Sequence, residues 1–349
     1  MTRPAPIAVL IAALATIACA PDAPQQAKAE KGAAPAATSS AATSSATTAR
    51  DVAPKPGAIK TFGDWSVGCD NGWRCTMASL QPEDAMGEGP TLTLIRNGGL
   101  PGAWSFGAGD GSTPKFAVDG RPVGSDAAAV AAAMANGTTL KIAGQAGTIS
   151  LKGASAALRY IDAAQQRAGT TSAIVAQGAA TAVPNPPAMP IVRAIPLVAT
   201  DSGLTPAQIA TMAKRAECED MSNANAPTLG RAGKDTLIVA LPCSAGAYNV
   251  IMALFVVQNG KVAPAQVDAA VGFEATGANS QTPVHSVVNG GVENGLLTSY
   301  AKGRGLGDCG LDQKLAWDGS RLRLVEQSEM PECRGNTDTI TTWRATVAR

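Results

Sequence analysis

Large apolar side chains recur at near-alternate positions in Phe62, Trp65, Val67 and Cys69, which predicts a strand with one buried face. Further strands are expected over Thr91–Ile95 and Lys115–Val118, with Asp119-Gly120 as a turn. Ser125 is expected to cap a helix over 126–136, where Val130 and Met134 share a face and Gly137 closes the element. Leu140–Ile142 and Ile149–Leu151 read as a hairpin around 144–147. A second helix follows over 155–167, with Leu158 and Ile161 inward. Later, Thr205-Pro206-Ala207-Gln208 is a capping box with proline at the first helical position, and its helix runs on towards Cys218. Thr236–Leu241 and Tyr248–Val257 then read as strands. The second is a continuous apolar run, as burial on both faces requires. Asn259-Gly260 is a hairpin signal, and strands are expected over 296–300, 314–317, 322–326 and 339–343. The pattern gives an α+β fold of mainly antiparallel sheets with a few short helices, in two disulfide-braced domains.

Two stretches lack that periodicity. From Ala20 to Pro56 the chain is Ala, Ser, Thr, Pro, Gln and Lys, which bury too little surface to offset the entropy of ordering. Such a tether reaches about 30–35 Å root-mean-square. Thr170 to Pro190 holds Ala, Thr, Gly and a Pro-Asn-Pro-Pro cluster. The expected organisation is therefore a leader over 1–19, a tether over 20–56, a first domain over 57–168, a linker over 169–195 and a second domain over 196–349.

The leader reading begins with Arg3 and the apolar stretch Ile7 to Ile17, a length that suits an export signal and is too short to span a bilayer. Ala18-Cys19-Ala20 offers a small-x-small cleavage site, but Pro21 would follow the cut. Thr16-Ile17-Ala18-Cys19 resembles a bacterial lipobox, departing from it at Thr16, where leucine is usual. Cys19 is therefore the expected lipid attachment site. Because Ala20 rather than Asp follows it, the analogy with bacterial lipoproteins puts the protein at the periplasmic face of the outer membrane. Without lipidation it would be soluble periplasmic.

The cysteine count agrees. Seven cysteines are an odd number for an exported protein, and removing or lipidating Cys19 leaves six. Local pairing, Cys69 with Cys75, Cys218 with Cys243 and Cys309 with Cys333, is the simplest of the 15 connectivities that six cysteines allow. Zinc or redox roles are disfavoured, because no Cys-x-x-Cys occurs and the chain has one histidine.

Charge adds little: 28 basic residues face 27 acidic ones, with no basic stripe interleaved with aromatics, so a nucleic-acid partner is not expected. No cofactor or metal is implied. The lone histidine, His285, lies in a polar segment and reads as solvent-facing. Ser299-Tyr300-Ala301-Lys302 matches Ser-x-x-Lys, but the Ser-Asp-Asn and Lys-Thr-Gly partners of that chemistry are absent and the segment reads as strand. Gly305-x-Gly307-x-x-Gly310 matches the dinucleotide fingerprint formally, but a strand rather than a helix is expected after it. Glu217-Cys218-Glu219-Asp220 lacks the spaced oxygens of a calcium loop. Trp65, Trp104, Trp317 and Trp343 are expected in the core. Trp73, in the small loop between Cys69 and Cys75, is the best candidate for an exposed aromatic partner contact, with packing over its own disulfide as an equal reading. Arg304 and Asp308 are further candidate contacts, with a solvated pair as the default reading.

Phe62-Gly63-Asp64-Trp65-Ser66-Val67-Gly68-Cys69-Asp70-Asn71 with Cys75 resembles the opening of a bacterial exported family, the domain of unknown function 1176. Gly303-Arg304-Gly305-Leu306-Gly307-Asp308-Cys309-Gly310, Met330-Pro331-Glu332-Cys333-Arg334-Gly335 and Trp343-Arg344 resemble it too. The Phe-Gly-Asp-Trp start is also similar to the invasion-associated locus B family of exported proteins. The resemblance implies an envelope protein of unassigned activity and supplies no catalytic residues. The expectation is a non-enzymatic protein that binds an envelope protein or a cell-wall component, or has a structural role. The alternative is a periplasmic hydrolase with an unfamiliar carboxylate or serine site.

Overall fold

A computed structural model describes residues 53–349 apart from 84, 86–87, 108–113, 220–225 and 273–274. Cys19, the expected leader, most of the expected tether and Asp220 lie outside the described residues. The first half opens as an antiparallel meander of β1 (Ile59–Phe62), β2 (Trp65–Cys69), β3 (Cys75–Ser79), β4 (Thr93–Arg96) and β5 (Trp104–Phe106). The single strand expected across Phe62 to Cys69 is interrupted by a turn at Gly63-Asp64, where Gly63 takes a φ of 57°. A second sheet, in the order β7-β6-β8-β9, comprises β6 (Phe116–Val118), β7 (Arg121–Gly124), β8 (Thr139–Ile142) and β9 (Ile149–Ser150).

Two helices cover these sheets. In α1 (Ala127–Met134), Asp126 rather than Ser125 is the N-cap, and its carboxylate accepts from the Ala129 N–H at 2.8 Å. A carboxylate satisfies an orphan amide and complements the helix dipole, which a hydroxyl one residue earlier cannot. α1 buries Ala127, Val130, Ala131 and Met134, and α2 (Ala154–Ala164) buries Ala154, Ala157, Leu158 and Ile161. Each set follows the i, i+3, i+4, i+7 spacing of one helix face. Both sets enter one core with Trp65, Met77, Leu94, Phe116 and Leu140.

The second half contains β10 (Ile191–Arg193), β11 (Val198–Thr200), α3 (Pro206–Arg215), β12 (Thr228–Ala232), β13 (Thr236–Ala245), β14 (Val250–Gln258), β15 (Lys261–Pro264) and β16 (Ser286–Val288). It continues with β17 (Gly291–Glu293), β18 (Leu296–Lys302), β19 (Gly310–Trp317), β20 (Leu322–Met330), β21 (Ile340–Arg344) and β22 (Thr346–Ala348). Strands β11 to β15 form one sheet in sequence order, with β16 paired to β14. Strands β17 to β21 form another, and β10 pairs with β22 in parallel. The apolar run of β14 is buried on both faces, as its composition requires. Met252 and Leu254 meet Leu315, Trp317, Leu322 and Trp343 of the facing sheet, while Ala253, Phe255 and Val257 lie in the core of Met212 from α3. The capping box holds α3 as expected: the Gln208 N–H donates to Thr205 Oγ1 at 3.3 Å, and the Thr205 N–H donates to Gln208 Oε1 at 2.9 Å.

The fold is thus mainly antiparallel sheet with three short helices among the described residues. Disulfides join Cys69 to Cys75 across β2–β3, Cys218 to Cys243 between the end of α3 and β13, and Cys309 to Cys333 beside β19 and β20. A small cluster of Ala78, Leu80, Cys309, Met330 and Ile340 joins the first sheet to the last, and the described residues fall in one unit, 47–349.

Candidate functional site

The motif-bearing segments of both halves meet along one seam. Asp64, in the turn after β1, accepts from Arg334 Nη2 at 2.8 Å, and Arg334 Nε donates to the Gln81 carbonyl at 2.6 Å. Asp70, after β2, takes the Gly72 and Arg74 N–H groups on Oδ1 at 2.8 and 2.9 Å and the Arg344 guanidinium on Oδ2. Asn71 brackets the backbone of Arg344, accepting from its N–H at 2.8 Å and donating to its carbonyl at 3.0 Å. Asn336 Nδ2 reaches the Ser79 carbonyl at 2.9 Å. The cross-seam bonds join residues 253 or more positions apart in sequence.

The loop between β18 and β19 sits at one end of this seam. Asp308 is 2% exposed. It accepts from Arg304 Nε at 2.7 Å and from the Gly335 N–H at 2.7 Å, so the expected solvated pair is instead an internal brace. The Arg304 hydrogen bond draws the Asp308 carboxyl below its ordinary range, against burial, with help from the Gly335 amide. Tyr300 Oη donates to the Gly307 carbonyl at 2.7 Å, Tyr248 Oη to the Gly303 carbonyl at 3.0 Å, and the Gly303 N–H to the Cys309 carbonyl at 2.8 Å. A Cβ on Gly303 would fall 2.6 Å from Cys309 Sγ, so this position must be glycine. The braced loop presents Leu306, 54% exposed, and its Gly303 and Gly305 lie against Tyr248, 41% exposed. Sequence reasoning missed both. The available signal was one aliphatic residue flanked by glycines in a cysteine-bounded loop.

Trp73 is half-buried rather than an exposed anchor. Its φ is 59°, and its carbonyl accepts from Gln165 Nε2 at 2.7 Å, which ties the small disulfide loop to the end of α2. Trp65, Trp317 and Trp343 are buried as expected, while Trp104 is half-buried, with the Arg96 guanidinium 5.0 Å above its ring.

A cleft of about 570 Å³ opens beside the seam, where the Asp64 turn, the segment after β3 and the β8–β9 hairpin converge. Asp64 and Ser150 both line its wall, and the Ser150 hydroxyl helps to lower the Asp64 titration. Burial pushes the Asp64 carboxyl up, but bonds from Arg334 and Ser150 and the charges of Arg334 and Lys152 outweigh it, so it titrates below its ordinary value. A carboxylate held ionised in this way is a weak proton acceptor.

The other candidate chemistries fail on geometry. Side chains alternate along β18, so Ser299 and Lys302 point to opposite faces. Ser299 Oγ accepts from the Val288 N–H at 3.0 Å, while Lys302 Nζ lies 5.9 Å from the centre of the Tyr300 ring. Gly310 opens strand β19, so the glycine fingerprint has no helix to offer a phosphate. His285 is half-buried, just before β16, and does not line the cleft. Among the described residues no group of three or more His, Cys, Asp or Glu side chains is placed to hold a metal, and no helix is long and apolar enough to cross a membrane.

Sequence reasoning also missed a buried polar cluster behind Trp73. Asp162 is fully buried and accepts from Arg96 Nη1 at 3.0 Å and from the N–H groups of Ile174, Val175 and Ala176 at 2.8–3.1 Å. Arg167, also fully buried, donates to Gln165 Oε1 at 2.9 Å and to the Gly99 carbonyl. Burial and the neighbouring Arg167 charge bring Arg96 down to about 10, against the pull of Asp162. The cluster fastens residues 172–176, the start of the expected linker, onto the first half.

A relative from Escherichia coli strain K12, "Uncharacterized protein YpfG", is 27% identical over 320 residues, covering 79% of this chain and 89% of that protein. No solved structure matches significantly. The family model described as "Protein of unknown function (DUF1176)" matches residues 59–348, which span every described strand and helix, and the chain therefore belongs to that family.

Proposed function

We propose that the protein is exported, lipid-anchored through Cys19 at the periplasmic face of the outer membrane, and acts by binding an envelope protein or cell-wall component rather than by catalysis. The apolar run Ile7–Ile17, the lipobox-like Thr16–Cys19 and three disulfides support export, because disulfides persist in oxidising compartments. The similarity of the Phe62–Trp65 opening to the invasion-associated locus B family points the same way. The observation that carries the binding reading is the Gly303–Gly310 loop. Its charged and polar groups are spent on internal bonds while Leu306 and Tyr248 face solvent, so contact there costs little ordering entropy.

Two measurements test this. Radiolabelled palmitate is expected to enter the protein and to be lost in Cys19→Ser; labelling that survives the substitution removes the anchor. A photo-crosslinking side chain placed at Leu306 or Tyr248 in cells is expected to give a discrete adduct that exposed Lys234 does not give and that Leu306→Asp abolishes when the crosslinker is at 248. Equal adducts at all three positions refute the surface. The hydrolase reading has Asp64 and Ser150 on the wall of one cleft in its favour. Ester hydrolysis by the purified protein, abolished in Ser150→Ala, would restore it.

A further inference from the structure

The cleft beside Asp64 has a chemical bias that the loop surface does not share. Its volume of about 570 Å³ lies within the range of small-molecule sites. Leu80, Pro82, Ala85, Pro90, Ala146 and Ile149 give it apolar walls, and among the described residues its lining includes two carboxylates, Asp64 and Glu88, but no lysine, arginine or histidine.

The remaining polar groups have mostly spent their protons elsewhere. Thr138 Oγ1 donates to Asp119 Oδ1 at 2.6 Å and Thr139 Oγ1 donates to the same oxygen at 3.1 Å, leaving only lone pairs for a visitor. Asp119 is held so firmly by these hydroxyls and by the Thr139 and Thr138 amides that its carboxyl falls to about 2, which keeps it an acceptor across the physiological range. The Ser150 oxygen accepts from the Lys152 N–H at 3.2 Å, and its hydroxyl contributes to lowering the Asp64 titration. Gln81, 5% exposed, gives an amide N–H to the Gly89 carbonyl at 2.8 Å, and its Oε1 is packed against Gly335. The Thr148 hydroxyl lies at the cleft on the exposed hairpin tip.

We infer that this cleft binds a primary amine carried on a short aliphatic chain, the ammonium against the carboxylates and the chain along the apolar walls. An ammonium supplies three donors and a positive charge where the cleft offers acceptors and negative charge, and an anionic ligand would face repulsion with few donors to receive it. Arg334 and Lys152 offset part of the Asp64 charge, and exposed Glu88 is the lining carboxylate with no ion pair among the described residues.

The inference goes beyond the loop surface, and its test does not depend on that surface. Isothermal titration of the full-length chain would use four probes of matched length: 1,5-diaminopentane, Nα-acetyl-lysine methylamide, 1,5-pentanediol and glutarate. The amines are expected to bind and glutarate not to bind, with the diol weaker than either amine. Tighter binding of the diamine assigns a free amine, and tighter binding of the lysine amide assigns a lysine side chain as the source. Glu88 is exposed, so its substitutions leave the core intact. Glu88→Gln is expected to weaken the amines about two- to fivefold, the range of an exposed ion pair, and Glu88→Lys to weaken them further. Equal binding of glutarate and diamine, no binding by either amine at millimolar concentration, or unchanged amine affinity in Glu88→Lys overturns the assignment.

Discussion

Replacing Asp162 by asparagine is the most demanding test of the packing argument. The wild-type carboxylate is fully buried and serves Arg96 Nη1 and the backbone N–H groups of Ile174, Val175 and Ala176. An asparagine keeps one oxygen, turns an NH₂ towards groups that are themselves donors, and leaves the Arg96 and Arg167 charges buried without a counter-ion. Breaking a buried pair from one side costs roughly 3–5 kcal/mol. With a urea slope of about 3 kcal/mol per molar, the upper end of the small-protein range, the unfolding midpoint should fall by about 1–1.7 M. The order of effects separates this account from general core damage. Arg96→Met removes one of two like charges and leaves Asp162 on three backbone N–H groups, so it should cost at least about 1 kcal/mol less than Asp162→Asn. Near-UV circular dichroism in urea, with disulfides intact, reads both variants. A cost below about 1 kcal/mol for Asp162→Asn, or a larger cost for Arg96→Met, would refute the reasoning.

Two further outcomes follow from the seam. Replacing Cys309 and Cys333 together by alanine should lower stability by about 3.5 kcal/mol on the chain-entropy model and open the loop, so that trypsin cuts after Arg304 in the variant and not in the parent; equal cleavage of both would show that the loop is not braced. The Asp64 and Asp308 carboxyls titrate below their ordinary values in the folded protein, so each contributes stability that is present above about pH 4 and lost as pH falls through its lowered folded value. Thermal melts from pH 6 to 2 should show that loss, less steeply in Asp64→Asn, and parallel curves would refute it.

Much of the local structure was legible because its signals are local. Thr205 with Gln208 fixes the start of α3, Asn259-Gly260 fixes a hairpin, and the run 250–257 announces burial on both faces, because each depends on residues within one or two turns of chain. Boundaries were less legible. Asp126 displaced Ser125 as the cap, and the turn at Gly63-Asp64 divided an expected strand in two. At the candidate site, Arg304 and Asp308 drew attention through their charge, yet the fold spends both on each other and on Gly335, and exposes Leu306 instead. Exposure depends on what the rest of the chain covers, which no local pattern encodes.

The sequence by itself determined the strand-rich class, the helix starts and a cysteine arithmetic that local pairing satisfies, since alternation, capping chemistry and short loop closures act over a few residues. Tertiary structure alone decided that Asp64 meets Arg334, that Asp70 meets Arg344, and that the hydroxyls of Thr138 and Thr139 turn away from the cleft towards Asp119. Those choices follow from which buried polar groups need partners once two sheets have closed on each other, and that need does not exist until the chain has folded.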